Sequence, residues 1–455
     1  MQNYMDGGEA IVEAFRRLDI DYVLASPGSE WGSVWEAFAR QDKENNDGPV
    51  YLSCAHETLA VNLAIGYSVM TGRMQAVMLH TGVGLLQGSM GIDTAYRQGV
   101  PMVVVSGESL TYSEKEAFEP GPQWHGVLSV VGGPSALVDG ITKWSQSVSS
   151  PHTLHEQLIR AGEMAQRSPA GPVYMSVPIE TMLHDWTPPK NPRAVPSASR
   201  PVPPTADIEA VADMLLAAKN PAIVAESIGR DPAGYSATVE LADLLAIPVS
   251  ECRWIDFTNF PKDHPLYQGM GEPEYLHDCD VVLTLRARAP WTPPSAKPAN
   301  AKIVNIDETP FRPHMVHQSL QADVFLEGDA VATLQSLIAV LRKKGIDDAA
   351  VAVRREKWWA GHEALVVGKK ALEDDALAKD TISPVGLCVT LGDELPDDAV
   401  YVDETITHRP VIIRHLAFKG PQSFYTAATG GLGQGLGLAL GTKLARKDRL
   451  VVSVI

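Results

Sequence analysis

Short apolar runs alternate with amphipathic stretches along the first 180 residues of this chain. The short runs predict strands, and the stretches with apolar residues every three or four positions predict helices. The predicted strands cover residues 22–25, 50–53, 76–79, 101–106 and 172–177, and the predicted helices cover residues 9–18, 31–40, 57–70, 85–97 and 154–166. Because the strands are apolar on both faces and alternate with helices, this pattern indicates a parallel sheet with helices on both sides.

The same alternation returns after a proline-rich stretch. Prolines are dense over residues 187–204, which predicts an extended linker. A second α/β unit follows, with predicted strands at 222–225, 247–250, 281–284 and 302–306 and a closing helix at 330–343. Residues 345–380 are charged and predicted to be helical, and a third α/β unit opens near Ile382 and is incomplete at Ile455.

Composition and charge narrow the class of protein. With 45% hydrophobic and 20% charged residues, the chain of 455 residues is that of a soluble globular protein. The net charge of −17 argues against sequence-independent nucleic-acid binding and against docking on anionic membranes. Four widely spaced cysteines, no leader pattern and no long apolar run predict a cytoplasmic protein with reduced, mostly buried thiols.

A glycine-rich run lies near the end of the chain, over residues 430–441. Its spacing fits neither the dinucleotide-binding fingerprint nor a P-loop. The glycines are consistent with a loop that lets a large ligand lie against bare backbone, with Gly437 and Gly441 allowing the following helix to pack tightly. They are equally consistent with a tight turn and close helix packing without a ligand.

Three polar side chains follow predicted strands of the first unit. Glu57 begins a predicted helix, where it is either a helix-capping carboxylate or a partly buried one that shares a proton with a ligand nitrogen. His80 follows a strand in a predicted loop over residues 80–84, where it is either an acid–base group or a histidine hydrogen-bonded to a neighbouring loop. Ser29 is either a functional residue on the same sheet edge or a helix N-cap.

Taken together, these features resemble the thiamine-diphosphate-dependent enzymes of the acetolactate synthase and 2-oxo-acid decarboxylase family, most of all its benzoylformate decarboxylase branch. The resemblance covers nearly the whole chain. It rests on the order and spacing of short motifs, which are Ser26-Pro27-Gly28-Ser29, Ala55-His56-Glu57, Ala64-Ile65-Gly66-Tyr67, Thr71-Gly72-Arg73, His80 to Gly84, Pro101 to Gly107, Lys143-Trp144-Ser145, Gly171-Pro172-Val173, and Gly430 to Gly441.

The resemblance implies a fold of three α/β domains with doubly wound parallel sheets. On this basis residues 1–182 form a pyrimidine-binding domain and residues 205–345 a central domain, and residues 382–455 are part of a diphosphate-binding domain. Linkers at 183–204 and 346–381 join them. The branch carries a histidine in its central domain, whereas the comparable stretch here, residues 286–291, has none.

The resemblance also implies roles for single residues. Glu57 would hydrogen-bond the pyrimidine ring of thiamine diphosphate, and His80 and Ser29 would handle the substrate carboxylate and proton transfers. The remaining cofactor contacts would come from Glu404 and Thr405 at the diphosphate, from Leu432 as an apolar prop, and from the backbone of Gly430, Gly431 and Gly433.

The resemblance implies magnesium as a second cofactor, with ligands in a Gly-Asp-Gly motif and a later Asn that would follow Ile455. The chain as given offers no metal ligand, so we expect it to bind thiamine diphosphate poorly. Flavin is not expected. The implied activity is decarboxylation or carboligation of a 2-oxo acid, with acetolactate synthesis as one alternative and a non-catalytic relative as another if Ile455 is a true terminus. The family's shared sites imply a dimer or tetramer.

Overall fold

The structure is a computed structural model that describes residues 5–108, 130, 132–416 and 418–455. It divides into two compact units. The first comprises Met1–Ser199 with Ala427–Asp448, and the second comprises Arg200–Thr426 with Arg449–Ile455. The first four residues, on which the expected absence of a leader partly rests, lie outside the described residues.

The first unit is built on a six-stranded parallel sheet with the strand order β2-β1-β3-β4-β6-β5. Its strands are β1 (Tyr22–Ser26), β2 (Val50–Ser53), β3 (Gln75–Leu79), β4 (Met102–Glu108), β5 (Trp144–Ser147) and β6 (Pro172–Pro178). Its helices are α1 (Gly7–Arg17), α2 (Gly32–Glu44), α3 (Glu57–Thr71), α4 (Thr81–Gln98), α5 (Pro134–Val138), α6 (Leu154–Gln166), α7 (Ile179–Leu183) and, from the glycine-rich run, α14 (Gly435–Ala445). The five strands predicted here are confirmed, and β5 was missed because its sequence, Trp-Ser-Gln-Ser, is mostly polar.

The two faces of this sheet are covered by different helices. Helices α1, α2 and α6 pack on one face, around buried side chains such as Phe15, Val34 and Leu158. Helices α3 and α4 pack on the other. Residues 60–66 of α3 are buried on every side of the helix, because α4 and α14 also pack on it.

One predicted loop is helical. We predicted a loop over residues 80–84, but α4 begins at Thr81, and its first hydrogen bond runs from the Gly84 amide to the His80 carbonyl. The helix start lacks a capping residue nearby in sequence. Instead, the Thr81 amide donates to the buried carboxylate of Glu30, which lies 51 residues earlier in the chain. A cap from so far away leaves no local signal.

The second unit contains a central six-stranded parallel sheet with the strand order β12-β11-β10-β7-β8-β9. Its strands are β7 (Pro221–Ala225), β8 (Val249–Glu251), β9 (Tyr267–Met270), β10 (Val281–Leu285), β11 (Lys302–Asp307) and β12 (Val324–Glu327), and its helices are α8 (Thr205–Ala217), α9 (Pro232–Leu245) and α10 (Ala330–Lys344). The strand order reverses between β7 and β10, as in dinucleotide-binding sheets.

A long helix and a small sheet complete the second unit. Helix α11 (Asp348–Leu377) buries Trp358 against Tyr275, with ring centroids 4.9 Å apart. The small sheet has the parallel order β14-β13-β15. Its elements are α12 (Pro384–Glu394), β13 (Val400–Asp403), α13 (Arg409–His415), β14 (Phe424–Thr426) and β15 (Val451–Val454). The α/β class with parallel sheets is thereby confirmed.

Candidate functional site

Polar residues of the first unit collect at the carboxyl edge of its sheet. Strands β1, β2 and β3 are neighbours and parallel, with Ser26 paired to Leu79 at the edge. The segments that carry Ser29, Glu57 and His80 follow these three strands in turn. The carboxyl edge of a parallel sheet is where ligands bind in α/β folds.

Glu57 is the first residue of α3, but it does not cap the helix. The side chain of His56 does, because its Nδ1 accepts a hydrogen bond from the Thr58 amide at 3.2 Å. The Glu57 side chain is 17% exposed, and among the described residues its only ion-pair partner is His56, at 4.0 Å. A Cβ atom at Gly84 would lie 3.0 Å from Glu57 Oε1, so this glycine keeps the space beside the carboxylate open. The carboxylate is therefore half-buried and available to a ligand.

His80 is held by Glu30. The two carboxylate oxygens of Glu30 lie 2.9 and 3.0 Å from His80 Nδ1, and the Glu30 side chain is fully buried. The hydrogen bond and charge of Glu30 raise the pKa of His80 above its usual value, although partial burial of the ring acts in the opposite direction. The His80 side chain is 25% exposed.

Ser29 is exposed and directly precedes Glu30 in the chain. It starts a single 3-10 turn, Ser29–Trp31, and the residue in the N-cap position of that turn is Gly28. The residue in the N-cap position of α2 is Trp31. The alternative that Ser29 is an N-cap is therefore wrong, and its exposed hydroxyl is free of that structural role.

The glycine-rich loop before α14 presents bare backbone. A Cβ atom at Gly430 or Gly433 would meet nothing within 4 Å, and Gly433 has a φ of +90° that other residues rarely adopt. The Leu432 side chain between them is 65% exposed. Gly431 is different, because a side chain there would overlap Met90 on α4.

A buried glutamine fixes this loop. Gln434 accepts a hydrogen bond from Thr94 Oγ1 at 2.7 Å, and its amide nitrogen donates to Thr429 Oγ1 and to the Gly431 carbonyl, both at 2.9 Å. The Gln434 side chain is fully buried. Leu432 is therefore exposed on a loop whose two ends are tied to α4.

The glycines of α14 serve close packing on α3. A Cβ at Gly437 would lie 2.7 Å from Asn62 Cβ, and one at Gly441 would overlap the Leu63 carbonyl. From the other helix, a Cβ at Gly66 would overlap the Leu438 carbonyl. The predicted tight packing at Gly437 and Gly441 is confirmed, and the open side of Gly430 and Gly433 leaves the ligand alternative standing for the loop.

In the second unit, Glu404 and Thr405 follow β13. The buried carboxylate of Asp403 accepts hydrogen bonds from the amide and the hydroxyl of Thr405, at 2.9 and 2.6 Å, and from Arg409 Nε at 2.8 Å. These bonds use both donors of Thr405. The next carboxylate, that of Glu404, is only 8% exposed, so the segment 403–405 after β13 is an acidic corner.

Sequence reasoning missed two residues of these sites, Glu30 and Gln434. Glu30 directly follows the Ser26-Pro27-Gly28-Ser29 motif, but a carboxylate in a loop is usually solvated. Gln434 stood among glycines and gave no periodic signal. Only the contacts across the sheet edge, 50 residues apart for Glu30 and His80, reveal their roles.

The described residues contain neither a metal-binding cluster nor a membrane-spanning helix. No group of three or more His, Cys, Asp or Glu side chains in the described part of the chain is arranged to hold a metal ion. Among the described helices, none combines the length and the apolar character needed to cross a membrane. All four cysteines are buried and unpaired, as predicted.

Two family models match the chain. Residues 5–130 match the N-terminal TPP-binding domain of thiamine pyrophosphate enzymes, and residues 208–337 match the central domain of the same enzymes. Together the two matches cover more than half of the chain. The first match contains Ser29, Glu57 and His80.

Known proteins are similar over almost the full length of the chain. The benzoylformate decarboxylase of Pseudomonas aeruginosa is 24% identical over 98% of this chain and 80% of its own length. The acetolactate synthase large subunit of Haemophilus influenzae is 24% identical over 99% of this chain and 77% of its own. The crystal structure of benzoylformate decarboxylase from Polynucleobacter necessarius has the same fold, with a TM-score of 0.77 at 22% identity over 99% of this chain and 80% of that one. The chain therefore belongs to the thiamine pyrophosphate enzyme family.

Proposed function

We propose that the protein is a thiamine-diphosphate-dependent enzyme that decarboxylates a 2-oxo acid or transfers the resulting acyl unit to a second carbonyl compound. The observation that carries the proposal is the half-buried carboxylate of Glu57. It starts a buried helix in the matched TPP-binding domain, it is not used as a cap, and it has no described Lys or Arg partner. A carboxylate in this state is suited to hydrogen-bond a ring nitrogen of a ligand.

The described residues fit the thiamine part of the cofactor. Glu57 offers a hydrogen-bond acceptor beside space that Gly84 leaves open. The Gly430 and Gly433 backbone can approach a ligand closely, since no side chain stands in front of either residue. Leu432 is exposed on the loop that the hydrogen bonds of Gln434 fix, and it offers an apolar surface. We propose these residues, with Gly431, as the cofactor contacts of this chain.

The diphosphate end needs a cation. Glu404 and Thr405 lie in an acidic corner, where the nearby Arg409 is already paired with Asp403. A diphosphate group is an anion and would be repelled there without a positive charge. We propose that Mg²⁺ would supply this charge, because hard oxygen ligands such as phosphate and carboxylate suit it. The described residues offer no cluster of three or more side chains that would hold the ion by themselves.

When bound, thiamine diphosphate supplies a carbon nucleophile and an electron sink for the loss of carbon dioxide. The Glu57 carboxylate would share a proton with the pyrimidine nitrogen. His80 donates or accepts a proton at Nε2, the ring nitrogen that Glu30 leaves free. Ser29, which is exposed, hydrogen-bonds the substrate carboxylate.

A second candidate is an acetolactate-type synthase. It is supported by the relative of that name, which is 24% identical to this chain, the same identity as that of the benzoylformate decarboxylase. One feature of the central sheet weighs against a flavin in this chain. At the point where the strand order reverses, Arg288 donates through its amide and its guanidinium to the carboxylate of Glu226, which is 3% exposed. Side chains of the protein therefore occupy part of the crevice in which sheets of this order bind dinucleotides.

The family resemblance supports one more proposal, self-association as a dimer or tetramer with sites shared between subunits. Sedimentation of the purified protein at several concentrations, with and without thiamine diphosphate and Mg²⁺, tests it. A monomer under all conditions contradicts this part of the proposal.

The proposed function is tested by exchange at the reactive carbon. The protein with thiamine diphosphate and Mg²⁺ is placed in D₂O, and loss of the C2 proton is followed by NMR after acid quench. Glu57→Gln should slow this exchange by about 10²- to 10⁴-fold, the range of a positioned proton-transfer group. Glu36→Gln, on the exposed face of α2, is the matched control and should leave it unchanged.

Product analysis separates the remaining alternatives. Pyruvate, benzoylformate and branched 2-oxo acids are offered singly and in pairs. An aldehyde with release of carbon dioxide indicates a decarboxylase, and an acetohydroxy acid indicates a synthase. If calorimetry shows that thiamine diphosphate is bound but C2 exchange is no faster with the protein than in buffer, the chain is a non-catalytic member of the family and the proposal is wrong.

A further inference from the structure

We propose that Glu30 is a positioning residue that fixes the orientation and tautomer of His80, so that Nε2 is the nitrogen presented for proton transfer. This role rests on the proposed function, in which His80 contacts the substrate. Both carboxylate oxygens of Glu30 lie within 3.0 Å of His80 Nδ1, and one of them also accepts the Thr81 amide at 3.3 Å.

The surroundings of Glu30 are shaped to hold it in this place. A side chain at Gly107 on β4 would overlap the Glu30 side chain, and one at Gly28 would overlap both Glu30 and His80. Two glycines on separate strand ends thus leave room for a carboxylate that is completely buried. A buried carboxylate is costly unless it is hydrogen-bonded, so its partners must stay in place.

The hydrogen-bond chemistry then settles the tautomer. An ionised carboxylate only accepts hydrogen bonds, so Nδ1 of His80 must carry a proton. The other nitrogen, Nε2, is left to bind or release a proton toward the partly exposed side of the ring. In this way the Nδ1 proton stays on His80 in its hydrogen bond to Glu30, and only the Nε2 proton is transferred.

The same arrangement favours the charged form of the ring. Among the described residues, two carboxylates act on His80, Glu30 by hydrogen bond and charge and Glu57 by charge alone. Their joint effect is to raise the pKa of His80, and the hydrogen bond of Glu30 is the largest contribution. The protonated ring, which is the form that can donate a proton, is therefore favoured relative to a free histidine.

The tautomer is measured on the wild-type protein without cofactor or substrate. With ¹⁵N-labelled histidine, the two ring nitrogens of His80 are assigned by comparison with His80→Ala. At a pH above the His80 pKa, we expect the Nδ1-protonated form, with Nε2 free. A ring protonated mainly at Nε2 overturns the proposal. That result would not bear on the proposed thiamine-diphosphate-dependent activity, because neither cofactor nor substrate is present.

Glu30→Gln tests the charge. The amide keeps the shape and an acceptor oxygen but removes the negative charge, so the His80 pKa should fall by about one pKa unit or more. Glu57→Gln is the matched control and should lower the His80 pKa less, since Glu57 does not hydrogen-bond the ring. An equal or larger fall in the Glu57 variant, or no fall in folded Glu30→Gln, overturns the proposal.

Kinetics distinguish positioning from a merely structural role. In Glu30→Gln, the pH dependence of kcat should move together with the His80 pKa, and KM should change less. In a His80→Ala background, Glu30→Gln should cause no additional change in the pH profile. If the two effects are simply additive, Glu30 does not act through His80 and the proposal fails.

Discussion

Gly441 on α14 lies directly against the main-chain carbonyl of Leu63 on α3, with no space for a side chain between the two helices. Gly441→Ala would gain up to about 1 kcal/mol in helix propensity. The clash is with backbone, which cannot rotate away, and overpacking of this kind costs about 1 to 3 kcal/mol. We therefore expect a net loss of about 1 to 2 kcal/mol in the free energy of unfolding, measured by urea denaturation.

Gly430→Ala is the matched control for this prediction. It lies in the same glycine-rich run, but a Cβ there would meet nothing within 4 Å. Its free energy of unfolding should change by less than about 0.5 kcal/mol. If Gly441→Ala is as stable as the wild type, α14 does not pack on α3 as described.

The sequence predicted the α/β class and most strands and helices because buried parallel strands are continuous apolar runs, which need no knowledge of their neighbours. The predictions that failed depend on partners far along the chain. The start of α4 at Thr81 relies on Glu30, and the edge strand β5 gains order from its pairing with β6. The roles of the site residues belong to the same group, since a cap and a free carboxylate look alike at Glu57 until His56 is seen to do the capping.

Loss of the Gln434 side chain should loosen the loop that carries Leu432. Gln434→Ala removes the hydrogen bonds to Thr94 Oγ1, Thr429 Oγ1 and the Gly431 carbonyl, and among the described residues the two threonine hydroxyls keep only their mutual contact at 2.8 Å and the bond from Thr94 to the Met90 carbonyl. We expect a loss of about 1 to 3 kcal/mol in the free energy of unfolding and weaker binding of thiamine diphosphate. Leu432→Ala should weaken cofactor binding without the loss of stability, because that side chain is exposed. Calorimetric titration and denaturation of both variants check the contrast, and equal stability of the two contradicts it.

Arg288 is expected to stabilise the central sheet by neutralising two buried carboxylates. It pairs with Glu226 and, at 3.0 Å, with Asp256, which are 3% and 6% exposed. Arg288→Met leaves both charges unpaired, which typically costs about 3 to 5 kcal/mol. Arg342→Met is the control, since its pair with Glu240 is exposed and should contribute at most about 1 kcal/mol.

The deficit of Arg288→Met should depend on pH. Burial already raises the pKa of Glu226 in the wild type, and loss of the arginine raises it further. A carboxyl whose pKa is higher in the folded than in the unfolded state loses stability as pH rises through that interval. The deficit should therefore shrink as the pH is lowered from 7 toward 5. A deficit that is constant over this range would show that the carboxylates do not cause it.

His155 is expected to make the first unit sensitive to acid. Its ring is buried beside Trp186, with centroids 5.4 Å apart, and Nε2 has no hydrogen-bond partner among the described residues. Burial lowers the pKa of His155 below its usual value of 6.5. The unfolded chain then binds more protons than the folded one below about pH 6.5, so this histidine reduces stability as the pH falls through that value.

His155→Phe removes the titrating group and keeps an aromatic ring in the same place. Relative to the wild type, the free energy of unfolding of this variant should improve between pH 7.5 and pH 5.5, by at most about 1.4 kcal/mol for each unit by which burial lowers the pKa of His155. His152→Phe, at an exposed position three residues earlier, controls for the loss of a histidine. Denaturation of the three proteins at both pH values tests this prediction. If the buried ring resists protonation in the folded state, His155→Phe loses less free energy of unfolding on acidification than the wild type and His152→Phe. A parallel decline of all three would mean that His155 is protonated without cost in the folded protein.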